Sequence, residues 1–168
     1  SGAPDHAKHV ILCMEAKKDV LCAVPAAISL EDCARLKEVK ERTGVRYMMA
    51  ESSWYRQEAI AAREMYRDGK FGRLVYSEVE YYHPGIGRKG DGLSFFQGKP
   101  TWRLGLPPMF YPTHSTGFLV GVTGERITHV SCLGTPGGPD FPKPEETVYR
   151  NPFANEMALC RTSGGNIS

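Results

Sequence analysis

The run Val20-Leu21-Cys22-Ala23-Val24, stopped by Pro25 and set between two capped helical segments, constrains this chain more than any other feature. A short continuous apolar run of this kind suits a strand buried on both faces of a parallel sheet. Before it, Asp5 is placed to cap a helix over residues 6–17, with Ala7, Val10, Ile11 and Met14 along one side. After it, Ser29 caps a second helix, with Glu31 in the first turn and Asp32 at the capping-box position. Leu30, Cys33, Ala34 and Leu36 form the inner face of that helix, and Gly44 closes it. Residues 46–50 read as another short strand. Residues 54–68 read as a third helix, with Tyr55, Ala59, Ala62 and Tyr66 at helical spacing. Helix, strand, helix, strand, helix is the rhythm of a doubly wound α/β sheet.

Beyond residue 70 the rhythm changes. Residues 73–82 alternate in period two, with Val75, Ser77, Val79 and Tyr81 on one face and Tyr76, Glu78, Glu80 and Tyr82 on the other. A strand with one wet or interfacial face belongs to an antiparallel sheet. A glycine-rich loop over 84–100, a helix over 113–122, a strand over 127–133, a loop over 134–146 and a last strand over 153–162 follow. The expected division is therefore 1–70 and 71–168. Ser163-Gly164-Gly165-Asn166 signals a hairpin turn, with the returning strand expected just beyond it. Two parallel strands are few for three helices, so the chain is expected to be an internal piece of a longer protein.

Gly85-Ile86-Gly87-Arg88-Lys89-Gly90 spells G-x-G-x-x-G, the pattern of a dinucleotide-binding turn. That turn needs a buried strand before it and a long helix after it, whose N-terminus holds the pyrophosphate. Here the preceding strand has a polar face, and Gly92, Gly98 and Pro100 leave no room for the helix. The motif reads as a flexible loop, and this chain alone is expected not to bind NAD(P) tightly.

A formal charge of +2, with no basic block, gives no argument for nucleic acid or an anionic membrane as partner. The apolar run of residues 20–28 is far short of a membrane span. The five cysteines (Cys13, Cys22, Cys33, Cys132 and Cys160) lack metal-ligand spacing. They read as reduced core cysteines and point to a reducing compartment, the cytoplasm.

Several strings, in order along the whole chain, resemble the Gfo/Idh/MocA family of NAD(P)-dependent oxidoreductases. They are Pro4-Asp5-His6, Glu15-Ala16-Lys17-Lys18-Asp19-Val20-Leu21-Cys22, Gly72-Arg73-Leu74-Val75-Tyr76-Ser77-Glu78 and Trp102-Arg103. The resemblance implies the C-terminal half of a Rossmann-like domain, followed by part of an α+β domain with an open, mainly antiparallel sheet. It also implies NAD or NADP as cofactor, with Val24 and Pro25 at the cofactor position, and a sugar or cyclitol as substrate. The family's E-K-P triplet is Ala23-Val24-Pro25 here, which removes its lysine, and Phe110 stands where the family often has an aspartate paired with the histidine that fits His114. Lys17 replaces a glycine at a helix end.

A narrower resemblance is to the NAD-dependent α-N-acetylgalactosaminidase branch of that fold. Val24-Pro25-Ala26-Ala27, Met48-Met49, Tyr81-Tyr82-His83 and Tyr111-Pro112-Thr113-His114 carry it. It implies transient oxidation of a sugar hydroxyl followed by elimination across the glycosidic bond, with Tyr81 as base and His83 and His114 as site histidines. Ala23 and Ser115 depart from that branch's glutamate and glycine.

Read from residue type alone, His114 is a helix-capping histidine before it is a proton-transfer group, and the resemblance reverses that order. Tyr81 reads equally as a packing residue, and His83 as a solvated strand end. Trp102 and Arg103 suit either the wall of a sugar site or a domain-interface anchor. Glu78 and Glu80 lack the geometry of a glycosidase pair and read as surface. Three functions follow: a sugar or cyclitol dehydrogenase, a hydrolase working by transient oxidation, or a catalytically silent fragment. A face carrying Tyr76 and Tyr82 favours a homo-oligomer.

Overall fold

The computed structural model describes residues 1–84 and 92–168. The G-x-G-x-x-G string lies outside the described residues. Two compact units divide at residue 51, Ser1–Glu51 and Ser52–Ser168.

In the first unit, a single 3-10 turn, Ala3–Asp5, leads into helix α1 (His6–Glu15). Strand β1 (Val20–Ala23), helix α2 (Leu30–Thr43) and strand β2 (Tyr47–Ala50) follow. β1 and β2 pair in parallel, Val20 opposite Tyr47 through to Ala23 opposite Ala50. Their start is fixed by Asp19, whose carboxylate accepts from the Arg46 backbone N–H and from its guanidinium at 2.8 Å each. The core lies between the two helices and one face of the strands, with Met14, Ala7, Val39, Val10 and Cys22 at its centre.

The expected caps behave differently. Ser29 Oγ accepts from the Asp32 N–H at 3.1 Å, as its sequence position dictates. Asp5 makes no side-chain cap, because the 3-10 turn already folds back on it. The expectation that β1 is buried on both faces does not hold within this unit. Side chains alternate across a strand, so Cys22 meets the helices while Leu21, opposite Met48, faces away and is 69% exposed.

The second unit opens with a 3-10 turn (Ser52–Tyr55) and helix α3 (Gln57–Arg67). α3, read from sequence as part of the first half, packs here on helix α4 (Thr113–Thr123). The Arg63 guanidinium donates to Gly121 O at 2.6 Å and Trp54 O at 3.0 Å, and lies 4.5 Å from the Trp54 ring centre. A β-carbon at Gly121 would stand 2.9 Å from the Trp54 ring, so glycine is what lets α4 come this close.

Strands β5 (Ile127–Pro136) and β6 (Phe153–Thr162) form the antiparallel ribbon of this unit. The 163–166 turn then returns the chain, and Ile167 pairs with Arg161. Glu125 secures that turn: its carboxylate accepts from Asn166 Nδ2 at 2.8 and 2.9 Å. Hydrogen bonding from Thr162, then from Asn166, holds its carboxyl below the ordinary value of 4.5.

The alternating segment 73–82 does not form the full strand expected. Among the described residues it makes one bridge, Tyr76 to Ile167, and in parallel sense, because Ile167 is the neighbour it meets along the ribbon. Between it and α4, a small hairpin of β3 (Phe95–Phe96) and β4 (Lys99–Pro100) replaces part of the expected loop. Gln97 and Gly98 supply its two positive φ values. Of the expected core cysteines, Cys22 and Cys160 are buried, whereas Cys13, Cys33 and Cys132 are exposed on outer faces. Among the described residues no helix is long and apolar enough to cross a membrane, and no acidic, His or Cys cluster could hold a metal.

At the end of α1, Lys17 has φ 59°, a left-handed residue, while its Nζ donates to Thr43 O at 3.2 Å. A left-handed non-glycine residue costs about 1 kcal/mol, more than one exposed hydrogen bond returns. Lys17→Gly is expected to stabilise the fold by up to that amount, read as a higher urea midpoint with an unchanged slope.

Candidate functional site

Pro112 and the turn before it place the central residue. A 3-10 turn, Pro108–Phe110, ends at Tyr111, and α4 begins at Thr113 with Pro112 as its cap position. The carbonyl of Pro112 accepts the Thr116 N–H at 2.9 Å and also Ser115 Oγ at 3.0 Å and Thr116 Oγ1 at 2.8 Å, which winds the first turn tightly. His114 is thereby held in that turn, and buried Ser53 donates its hydroxyl to His114 O at 2.9 Å from across the unit.

Three aromatic rings surround this imidazole or its neighbour. Tyr81 lies 4.6 Å from His114 between ring centres, tilted at 51°. Tyr111 stacks on the imidazole at 5.5 Å and 13°. His83 meets Tyr81 edge-on at 6.1 Å. The chain thus brings Tyr81, His83 and His114 together from positions over thirty residues apart, with Tyr81 38% exposed.

Trp102 and Arg103 join the group from the 101–106 segment. The Arg103 guanidinium covers the Trp102 ring at 4.3 Å, and the same side chain hydrogen-bonds Tyr111. Arg103 Nε is shielded from solvent and has no hydrogen-bond partner among the described residues. Burial pushes the Tyr111 phenol up, and the Arg103 charge pulls against that shift. Phe110, at the position where an acid was sought, contributes no proton-handling group; its ring meets Tyr149 edge-on at 5.8 Å and 87°. Tyr111, Ser53 and Tyr149 carried no role in the sequence reading. Ser53 and Tyr149 touch partners 61 and 47 residues away, so no local pattern marks them.

Val24 and Pro25 belong to the first unit and sit directly after β1, at the carboxyl end of two parallel strands that finish in register. Both are half-buried, and the backbone there is pinned by His6 Nδ1, 2.8 Å from Pro25 O.

No family model matches the chain. By sequence it is 32% identical over 151 residues to a glycosyl hydrolase family 109 protein of Stenotrophomonas maltophilia (strain K279a), covering 77% of this chain and 33% of the relative. A glycosyl hydrolase family 109 protein of Shewanella sp. (strain ANA-3) is 30% identical over 142 residues, covering 78% and 30%. The chain thus spans about a third of the length of the curated relatives it matches. By fold it is similar to a putative NADPH-dependent oxidoreductase of Desulfitobacterium hafniense, at a TM-score of 0.76 and 20% identity, covering 98% of this chain and 44% of that one. An inositol dehydrogenase homologue of Azotobacter vinelandii, solved with NADH and myo-inositol, gives 0.72 at 17% identity, covering 99% and 41%. The resemblance to the Gfo/Idh/MocA family therefore holds, with glycosyl hydrolase family 109 proteins as relatives by sequence and dehydrogenases as neighbours by fold.

The Arg103 charge beside Tyr111 has a measurable consequence. Arg103→Met is expected to raise the Tyr111 pKa further, since the opposing cation is lost while burial remains. NMR titration of ring-labelled tyrosine, with the resonance assigned through Tyr111→Phe, reads the change; a downward shift contradicts the geometry.

Proposed function

We propose that this Gfo/Idh/MocA-type chain carries the substrate-handling half of an NAD(P)-dependent enzyme that oxidises a ring hydroxyl of a sugar or cyclitol. One observation carries the reading: an imidazole in ring contact with two phenols, one of them bonded to a guanidinium that covers an indole. Residues 1–70 would belong to the nucleotide-binding domain and residues 71–168 to the substrate domain. The setting we infer is the cytoplasm, which suits five unpaired thiols.

The residues after β1 fit a nicotinamide cofactor. Ligands of open α/β sheets bind outside the carboxyl ends of the strands, and Val24 and Pro25 present a pinned, apolar edge there. They would hold the nicotinamide. When bound, NAD(P) supplies reversible two-electron oxidation of a carbinol carbon.

The second unit's own side chains meet the other demands of that chemistry. A hydroxyl losing its proton needs a base, and a neutral imidazole takes that proton near neutral pH. In this reading His114 accepts the proton, and the Tyr81 hydroxyl and His83, whose rings lie next to it in turn, are the further groups able to hold or move one. Tyr111 stacks on His114 and fixes its ring plane. Trp102 offers a flat face to the apolar side of a sugar ring, and Arg103 donates to its hydroxyl oxygens.

A second reading, glycoside cleavage by transient oxidation and elimination, is supported by the glycosyl hydrolase family 109 relatives and by the Tyr111–His114 string. It demands the same proton transfers and returns the electrons to the product. The full-length protein should be assayed twice, for NADH accumulation with free sugars and for release of an aryl glycoside's phenol. His114→Ala is expected to lower whichever activity appears by ~10²-fold or more, and a fully active variant would refute the reading.

The protein is further expected to self-associate. Leu133, Met157 and Leu159 share one face of the β5–β6 ribbon and are 80%, 75% and 60% exposed. Tyr76 and Tyr82 are also exposed, each bonded to a neighbouring glutamate, Glu78 and Glu80. Apolar faces of this kind are uncommon on monomers. Light scattering should report a dimer or larger, and Leu133→Lys with Met157→Lys should return it to the monomer.

A further inference from the structure

The peptide joining Trp102 to Arg103 is held at both of its polar groups. Its N–H, on Arg103, donates to Thr101 Oγ1 at 3.2 Å, and that hydroxyl is itself fixed by donating to Leu93 O at 2.6 Å. Its carbonyl, on Trp102, accepts the Tyr149 phenol at 2.6 Å, across 47 residues. With the peptide plane fixed, both side chains leave the backbone in set directions, which lets the guanidinium cover the indole at 4.3 Å.

Tyr149 is in turn rigid. Its ring stands edge-on to Phe110 at 5.8 Å, and the segment that carries it is clamped to residues 102–106. Gly105 has φ +70°, and a β-carbon there would stand 2.5 Å from Thr147 Cγ2, so the two segments lie as close as glycine permits. Buried Asn151 donates to Phe153 O at 2.7 Å and accepts from the Phe153 N–H at 2.9 Å, locking the other end. Burial pushes the Tyr149 phenol up, so it stays a hydrogen-bond donor throughout the neutral range.

We infer that Tyr149 is a positioning residue for the sugar-binding wall: its phenol fixes the Trp102–Arg103 peptide, and through it the indole and guanidinium that grip the ring. This rests on the reading of Trp102 and Arg103 as substrate-binding. Tyr149 itself takes no part in moving the proton at His114. Its loss therefore weakens substrate binding and leaves turnover in place.

The chain has two tryptophans, Trp54 and Trp102, so fluorotryptophan labelling gives two 19F resonances, assigned through Trp102→Phe. Tyr149→Phe removes one hydroxyl and keeps the ring against Phe110. It is expected to shift and broaden the Trp102 resonance in the 168-residue chain, with the Trp54 resonance unmoved. In the full-length protein it is expected to raise KM for the responding sugar on the order of tenfold, with kcat within about twofold, the scale of one buried hydrogen bond. Trp102→Ala and Arg103→Ala serve as references. An unmoved Trp102 resonance overturns the inference, as does a fall in kcat with KM unchanged. If the two reference variants leave KM untouched, the reading of the wall as substrate-binding fails instead, and the 19F result alone judges the hold of Tyr149 on Trp102. Val148→Ala, 90% exposed beside it, should change none of these quantities.

Discussion

One guanidinium ties the second unit together. Arg63 reaches from α3 to the Gly121 carbonyl on α4 and the Trp54 carbonyl in the turn before α3, and lies over the Trp54 ring. Hydrogen bonds from a charged donor are worth roughly 1.5–3 kcal/mol, and a partly desolvated cation over an indole adds about 1 kcal/mol. The geometry works because Gly121 presents no side chain to the indole. The axis of α4 is set this way near its far end and by the Ser53 hydroxyl on the His114 carbonyl at its start. His114 therefore rides on a helix fixed at two points.

The sequence was most legible where the determinants are local. Ser29 and Gly44, at φ 70°, bound α2, because caps and left-handed turns depend on a few adjacent residues. The ends of β6 also match their reading. Residues 73–82 show the opposite case. Alternation fixes which side chains share a face, but a strand exists only where a neighbour supplies hydrogen bonds, and among the described residues Ile167 alone does so. β5 runs three residues beyond its expected end, to Pro136, because β6 offers partners as far as Phe153. Leu21 misled for the same reason: its apolar character marks a face that needs covering without naming the cover.

The candidate site divides along the same line. Tyr81, His83 and His114 were marked by residue type and by strings resembling a known branch of enzymes, and the fold sets their rings within 4.6 to 6.1 Å of one another in sequence of contact. Their supports were invisible. Ser53 reads as an ordinary serine before a helix, and Tyr149 as an aromatic residue in a proline-rich stretch. Both act through a single hydroxyl on a distant backbone carbonyl, a contact that no periodicity encodes. Arg103 lies between these classes, since its dipeptide was marked but its hydrogen bond to Tyr111 was not.

Phe110 suits its surroundings in a way that a carboxylate would not. A carboxylate in that turn, close to half-buried Tyr149 and Tyr111, would need partners for its charge and would compete for the guanidinium of Arg103. The phenyl ring asks for none. It packs edge-on against Tyr149, an arrangement that favours aromatic pairs, and leaves the Tyr149 hydroxyl free to hold the Trp102 carbonyl. The Arg103 charge stays directed at Tyr111 and at the indole beneath it. One apolar residue thus lets Tyr149 keep its hold on the Trp102 carbonyl with no charge beside it.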